Sequence, residues 1–218
     1  MSAAAAKSQA AGPGHDCALC PRLVDFRMAQ RAAHPDWHNA PVPSFGDLSA
    51  RLLIVGLAPG LKGANRTGRP FTGDYAGDLL YATLKKFGLA AGEYAQHKDD
   101  GLTLIDCRVS NAARCVPPEN KPLPEEVATC RSFLIAEIAA MPKLRAILAL
   151  GQIAHGAVLS ALGHRKSAFA FGHGAMHALP DGSLLADSYH CSRYNTNTGK
   201  LTAAMFEGVF AALKKRLA

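Results

Sequence analysis

Six cysteines stand among the 218 residues, and four of them are spaced as a ligand set. Cys17-Ala-Leu-Cys20 is a CxxC pair, while Cys115 and Cys130 lie far downstream, flanking the proline-rich turn VPPENKPLP. A CxxC can present two thiolates to one centre, and a loop-to-helix pair can complete the four-cysteine shell of zinc or of a [4Fe–4S] cluster. Cys130 also falls on the apolar face of a predicted helix, where free cysteine commonly serves as a small buried hydrophobe. Cys107, inside a predicted strand, and Cys191, next to His190, stand outside the set.

Two loops carry the other chemistry-bearing residues. Gly56 to Asp74 (GLAPGLKGANRTGRPFTGD) is rich in glycine and small residues directly after an apolar run, so its backbone amides can approach a ligand closely. Lys62, Arg66 and Arg69 add cationic groups, and Phe71 and Asp74 follow at a spacing that can set an aromatic face and a carboxylate at one pocket. The segment matches neither GxxxxGK[ST] nor GxGxxG, which weighs against a nucleotide cofactor. Asp74 equally suits a helix N-cap. The second loop, Ser188 to Lys200 (SYHCSRYNTNTGK), places His190 among hydroxyl, amide and guanidinium donors.

The elements that must position these loops follow from pattern. Leu52–Val55 is a short apolar run ending in glycine, as a buried parallel strand does. Further strands are predicted over Leu102–Val109, Arg145–Gly151 and Ser183–Tyr189. Helices are predicted from Pro21 to about Ala33, from Asp74 to Phe87, behind Pro124-Glu125-Glu126, over Gln152–Leu162 and over Leu201–Leu217. His34–Gly46, with Pro35, Pro41 and Pro43, reads as an extended segment, with Trp37 as an anchor. Alternating strands and helices imply a mainly parallel sheet covered on both faces, with ligands bound outside the strands' carboxyl ends. On that plan the loops after the first and last strands share one crevice.

Composition sets the outer limits. With 49% apolar and 19% charged residues, the chain suits one compact domain, residues 15–218, behind a mobile Ala/Ser/Gly/Pro tail, residues 1–14. No apolar run approaches the roughly 18 residues of a membrane span, and the start lacks the apolar core of a secretory signal, so a soluble, cytoplasmic monomer is expected. In a reducing compartment six cysteines argue against a disulfide framework. A net charge of +7 favours a polyanionic partner.

Taken together, GLAPG, ANRTGRPFTGD, NAARCVPPENKP with the later Cys130, and YHCSRYNTNTGKLT resemble the type-b uracil-DNA glycosylases, the iron–sulfur branch of that superfamily, over about Cys17 to Thr202. The resemblance implies a three-layer α/β/α fold with a central four-stranded parallel sheet. It also implies a structural [4Fe–4S] cluster on Cys17, Cys20, Cys115 and Cys130, and DNA containing uracil as partner.

Cleaving the sugar-to-base bond develops positive charge on the sugar and negative charge on the departing base, so a catalyst must stabilise both and position water. On this resemblance Phe71 stacks on a flipped uracil, Asn111 reads its polar edge, and Asn120 stands near the base or the water. Gly56, Leu57 and Ala58 form the first motif beside the base. Where many relatives carry Asp, Glu or Asn after the first-motif glycine, this chain has Leu57, which can neither activate nor orient water. Asp74 then becomes the acid, its helix N-terminus favouring the ionised form, and His190 donates to the uracil O2. Arg66, Arg69, Arg193 and Lys200 are expected on phosphates, with Tyr194 as a wedge. No lysine stands out as a Schiff-base nucleophile, so a monofunctional glycosylase is expected, accepting uracil and other deaminated bases such as hypoxanthine. Two other classes use the same features: a catalytically silent or DNA-trapping superfamily member, and a zinc-stapled nucleic-acid-binding module.

Overall fold

The computed structural model describes residues 12–217; residues 1–11, most of the expected tail, lie outside the described residues. In chain order the elements are α1 (Pro21–Ala33), β1 (Leu52–Gly56), a short α2 (Ala64–Thr67), α3 (Tyr75–Lys86), β2 (Ala90–Ala91), β3 (Thr103–Leu104), β4 (Cys107–Asn111) and α4 (Pro124–Ala139). They continue through β5 (Ala146–Leu150), α5 (Gln152–Ala161), β6 (Met176–Ala178), β7 (Leu184–Ser188), α6 (Arg193–Asn197) and α7 (Ala203–Leu217).

The central sheet runs β4-β1-β5-β7-β6. The first four strands are parallel and β6 joins antiparallel to β7, so the sheet is mixed and five-stranded where four parallel strands were expected. β6 escaped the sequence reading because Met-His-Ala is three residues of part-exposed edge, too short for an alternation signal. The predicted strand Leu102–Val109 is also two strands. Thr103–Leu104 pairs antiparallel with Ala90–Ala91, the chain turns at Asp106 (φ 53°), and Cys107–Asn111 then enters the main sheet.

Strand alternation sorts the core into two layers. Leu52, Ile54, Ala146, Leu148 and Ala186 point to one face, where they meet Leu80, Tyr81 and Leu84 of α3 and Phe206, Val209, Phe210 and Leu213 of α7. Leu53, Val55, Ile147, Ala149 and Leu185 point to the other, against Val127 and Leu134 of α4 and Ala154 and Val158 of α5. Each such Leu, Ile, Val or Phe contributes about 1.5–3 kcal/mol by leaving water. The result is the expected three-layer α/β/α arrangement. Because β1 is followed by β4 on one side while β5 leads to β7 on the other, winding reverses between β1 and β5, which is where an open sheet leaves a crevice at its carboxyl edge.

Candidate active site and cysteine centre

A cavity of about 850 Å³ opens at that edge. Its wall takes Leu57 and Ala58 from the end of β1, Asn111 from β4, Phe71 and Asp74 from the glycine-rich loop, and His190 and Arg193 from the loop after β7. The two loops singled out in the sequence therefore do share one crevice.

Gly56 makes the close approach possible. A β-carbon there would collide with both Asn111 Oδ1 and the Phe71 ring, so only glycine lets these side chains converge over the end of β1. Asn111 is buried, and its Oδ1 has no hydrogen-bond partner. A buried amide oxygen left unpaired is costly, and in a cavity wall it marks where a ligand N–H belongs. Phe71 is held in the left-handed region (φ 52°), which an aromatic residue adopts only under constraint. The constraint comes from the backbone carbonyls around it. Tyr94 Oη donates to Phe71 O at 3.2 Å and Tyr81 Oη donates to Pro70 O at 2.5 Å.

Asp74 is the N-cap of α3, accepting from the Gly77 amide at 3.3 Å. Gly60 and Gly63 lie against its carboxylate, and a β-carbon at Gly60 would stand 2.9 Å from Oδ2. Burial raises the Asp74 carboxyl above its ordinary 3.8, outweighing the Gly77 and Ala76 N–H groups that favour the anion. The helix terminus favours the ionised form, as expected, but desolvation is the larger effect. His190 lies with its ring centroid 5.9 Å from that of Phe71, and its backbone carbonyl accepts from Asn195 Nδ2 at 2.8 Å. Burial pushes the His190 imidazole down to about 4, so it is neutral at physiological pH.

Asn120 reaches the same cavity from the turn Pro118–Asn120, where its Oδ1 accepts from the Leu61 amide at 3.3 Å. Arg66 and Arg193 are exposed in the cavity wall, with Arg193 over the Tyr75 ring. Tyr194 is 75% exposed beside them. Lys200 is exposed outside that wall, with Nζ 4.9 Å from the Tyr189 ring centre.

Arg69 requires a correction. It is buried rather than facing solvent, and its guanidinium makes a two-pronged pair with Asp100 (2.8 and 2.7 Å) while Nε donates to Thr72 Oγ1. Phe45, Tyr81 and Tyr94 surround it at 5.1–5.8 Å. Burial works to raise the Asp100 carboxyl, but Arg69 and the Ala95 and Leu102 amides hold it well below the usual range. Arg69 shapes the loop that presents Phe71 and is closed to phosphate. Its partners Asp100 and Tyr94 carry no pattern that links them to Arg69 and sit in a polar connection between β2 and β3.

The four spaced cysteines line a second, small cavity between α1, the Cys115 loop and α4. None of the four is joined in a disulfide. The Arg114 amide donates to Cys130 Sγ at 3.4 Å, and Arg27 Nη1 points to Cys115 Sγ at 3.7 Å. Burial raises the Cys115 thiol to about 12 and those of Cys20 and Cys130 upward, so any metal held here displaces protons on binding. Among the described residues, the set of three metal-ligating atoms within 4.8 Å of one another is instead His155, His177 and Asp187. Hydrogen bonds converging on Asp187 from His155 (2.8 Å), His177 (3.3 Å) and the Gly172 amide (3.4 Å) account for that group as a hub joining α5, β6 and β7. Cys107 and Cys191 are buried outside the four-cysteine cavity, and Cys191 Sγ donates to the Ala76 carbonyl at 3.5 Å beneath the active-site wall.

Fold and site define an open-sheet α/β protein with a polar, aromatic-walled crevice at its switch point. The model of the uracil DNA glycosylase superfamily matches residues 43–214, and the chain belongs to that superfamily. It is 47% identical over 205 residues to a type-5 uracil-DNA glycosylase of Thermus thermophilus, covering 91% of this chain and 93% of that one. A protein of the same name from Pyrobaculum aerophilum is 42% identical, covering 86% and 83%, and one from Mycobacterium leprae 43%, covering 91% and 90%. No helix among the described residues is long and apolar enough to cross a membrane.

Proposed function

We propose that the protein is a monofunctional uracil-DNA glycosylase of the type-b, iron–sulfur group, which takes a uracil flipped out of DNA into the 850 Å³ cavity and hydrolyses its N-glycosidic bond, leaving an abasic site for base-excision repair. The observation that carries the reading is the unpartnered, buried Asn111 Oδ1 in a cavity wall that also holds the Phe71 ring. A flat heterocycle with an N–H beside carbonyl groups satisfies both at once: the ring stacks and the N–H pairs with the amide oxygen.

His190, kept neutral by burial, donates a hydrogen bond to the base oxygen on which negative charge gathers, without having to surrender a full proton. Asp74, as the carboxylate, faces the sugar, stabilises its developing positive charge and accepts a proton from the attacking water. Leu57 contributes shape only. Arg66, Arg193 and Lys200 meet phosphates, with Tyr194 in the gap left by the flipped nucleotide. Lys62 is exposed at the cavity rim, whereas an amine nucleophile works desolvated, so hydrolysis by water is favoured over a lyase reaction.

Cys17, Cys20, Cys115 and Cys130 would hold the [4Fe–4S] cluster, which when bound clamps the N-terminal segment to the loop before α4. What supports the set is that all four side chains line one small cavity, where four thiolates make the shell a [4Fe–4S] cluster takes.

The test is single-turnover excision on matched duplexes bearing uracil, hypoxanthine, xanthine or thymine, followed by alkali to reveal abasic sites. Abasic product from uracil is expected, and from hypoxanthine as well, because the cavity volume lies within the roughly 300–1,000 Å³ of small-molecule sites and admits a purine. Tight binding with no released base would instead identify a silent or trapping member, and a colourless zinc protein would identify a stapled binding module.

A further inference from the structure

Arg27 stands on α1 beyond Cys20 and is only 3% exposed. Its Nη2 donates to the Cys17 carbonyl at 2.8 Å, its Nη1 points to Cys115 Sγ at 3.7 Å, and its Nε is buried without a partner. Among the described residues no carboxylate pairs with it. The acid that lines the same cavity, Glu126, is already held by Arg22 through two bonds of 2.7 Å. A guanidinium keeps its charge at any accessible pH, and burying it without a counter-ion is strongly unfavourable. Such a charge persists where an anionic group completes its surroundings, and the groups around Arg27 that can become anionic are the cysteine thiols.

We propose that Arg27 is the counter-charge and positioning residue of the cysteine centre, an inference that rests on the four-cysteine cluster put forward above. Its Nη2 fixes the CxxC segment through the Cys17 carbonyl. Its charge offsets part of the negative charge that four thiolates bring, and its Nη1 donates to one of the sulfurs. A cation at that place favours the more negative, reduced form of a cluster and so raises its reduction potential. It also slows loss of the metal, as hydrogen-bond partners of ligands commonly do.

The experiment compares wild-type holoprotein with Arg27→Gln, which removes the charge, and Arg27→Lys, which keeps it. Iron and sulfide per chain, the rate at which a chelator bleaches the visible absorbance, and the cluster's midpoint potential are measured. Arg27→Gln is expected to bleach about 10-fold faster and to have a more negative potential, while Arg27→Lys bleaches faster than wild type but keeps a potential near it. Iron-loaded wild type with an Arg27→Gln variant equal to it in both readouts overturns the proposal alone. Wild-type protein that binds zinc or no iron overturns the cluster reading and the proposal with it. Should Arg27→Gln not fold, Arg27→Lys decides, since a strongly lowered potential in that charge-keeping variant contradicts a counter-charge role.

Discussion

Phe71 and His190 face one another across the cavity with ring centroids 5.9 Å apart and planes inclined by 28°. One ring comes from the loop after β1 and the other from the loop after β7, so the spacing depends on the sheet that joins them. If a flipped base stacks on Phe71, Phe71→Ala loses about 1–3 kcal/mol of stacking, roughly 5- to 150-fold in kcat/KM. Phe71→Leu, which keeps bulk without the π-face, recovers only part of it. Steady-state excision of uracil by both variants checks this, and an unchanged kcat/KM in Phe71→Ala removes the ring from base binding.

Acid should affect rate and stability through different groups. On the proposed mechanism excision uses ionised Asp74, whose carboxyl burial raises above 3.8, so the acid limb of the single-turnover rate is expected to have its midpoint above that value and to disappear in Asp74→Asn. Stability follows His190. The unfolded chain takes up a proton on this imidazole near 6.5, whereas the folded protein refuses it until about 4, so stability falls as pH drops through that window. The loss is on the order of 3 kcal/mol, and His190→Asn flattens it. Asp74 acts in the opposite sense: its raised folded value adds stability at low pH that is lost as pH rises through it. Urea unfolding at several pH values separates the two residues.

Buried and exposed arginines should separate cleanly. Arg193→Ala weakens binding without regard to sequence and lowers the salt slope by about 1. Arg69→Gln leaves that slope unchanged but strands Asp100 in the interior, costing about 3–5 kcal/mol of stability. Binding titrations at several salt concentrations, with thermal melts, measure both; a reduced slope in Arg69→Gln contradicts its assignment to the Phe71 loop.

The Asp187 hub gives a third contrast. Asp187→Asn removes the charge and turns one of the two oxygens, which serve His155 on one side and His177 and Gly172 on the other, into a donor; it is expected to destabilise by about 3 kcal/mol while leaving uracil excision at permissive temperature near wild type. Melting temperature and single-turnover rate on the same preparation check it.

What could be read in the sequence tracks how local the cause is. Leu52–Val55 and the Ala146–Leu150 run announce buried parallel strands by apolar continuity, and Pro124-Glu125-Glu126 announces a helix start, because both signals arise within one element. The convergence of Phe71, Asp74, Asn111 and His190 was legible because strand ends in such a sheet share an edge. Arg69 was misread because its fate is set by Asp100, which is remote in the chain and carries no pattern linking it to Arg69. For Asp74 the N-cap was legible as a local feature, whereas the burial that raises its carboxyl depends on the whole fold around it.

Release of free uracil from a uracil-containing duplex, measured in single turnover for wild type and Asp74→Ala alongside DNA affinity, tests the central claim most directly. Excision by wild type, with a strongly reduced rate and near-normal binding in Asp74→Ala, is the predicted result. No free base from wild type, or a wild-type rate in Asp74→Ala, would contradict it.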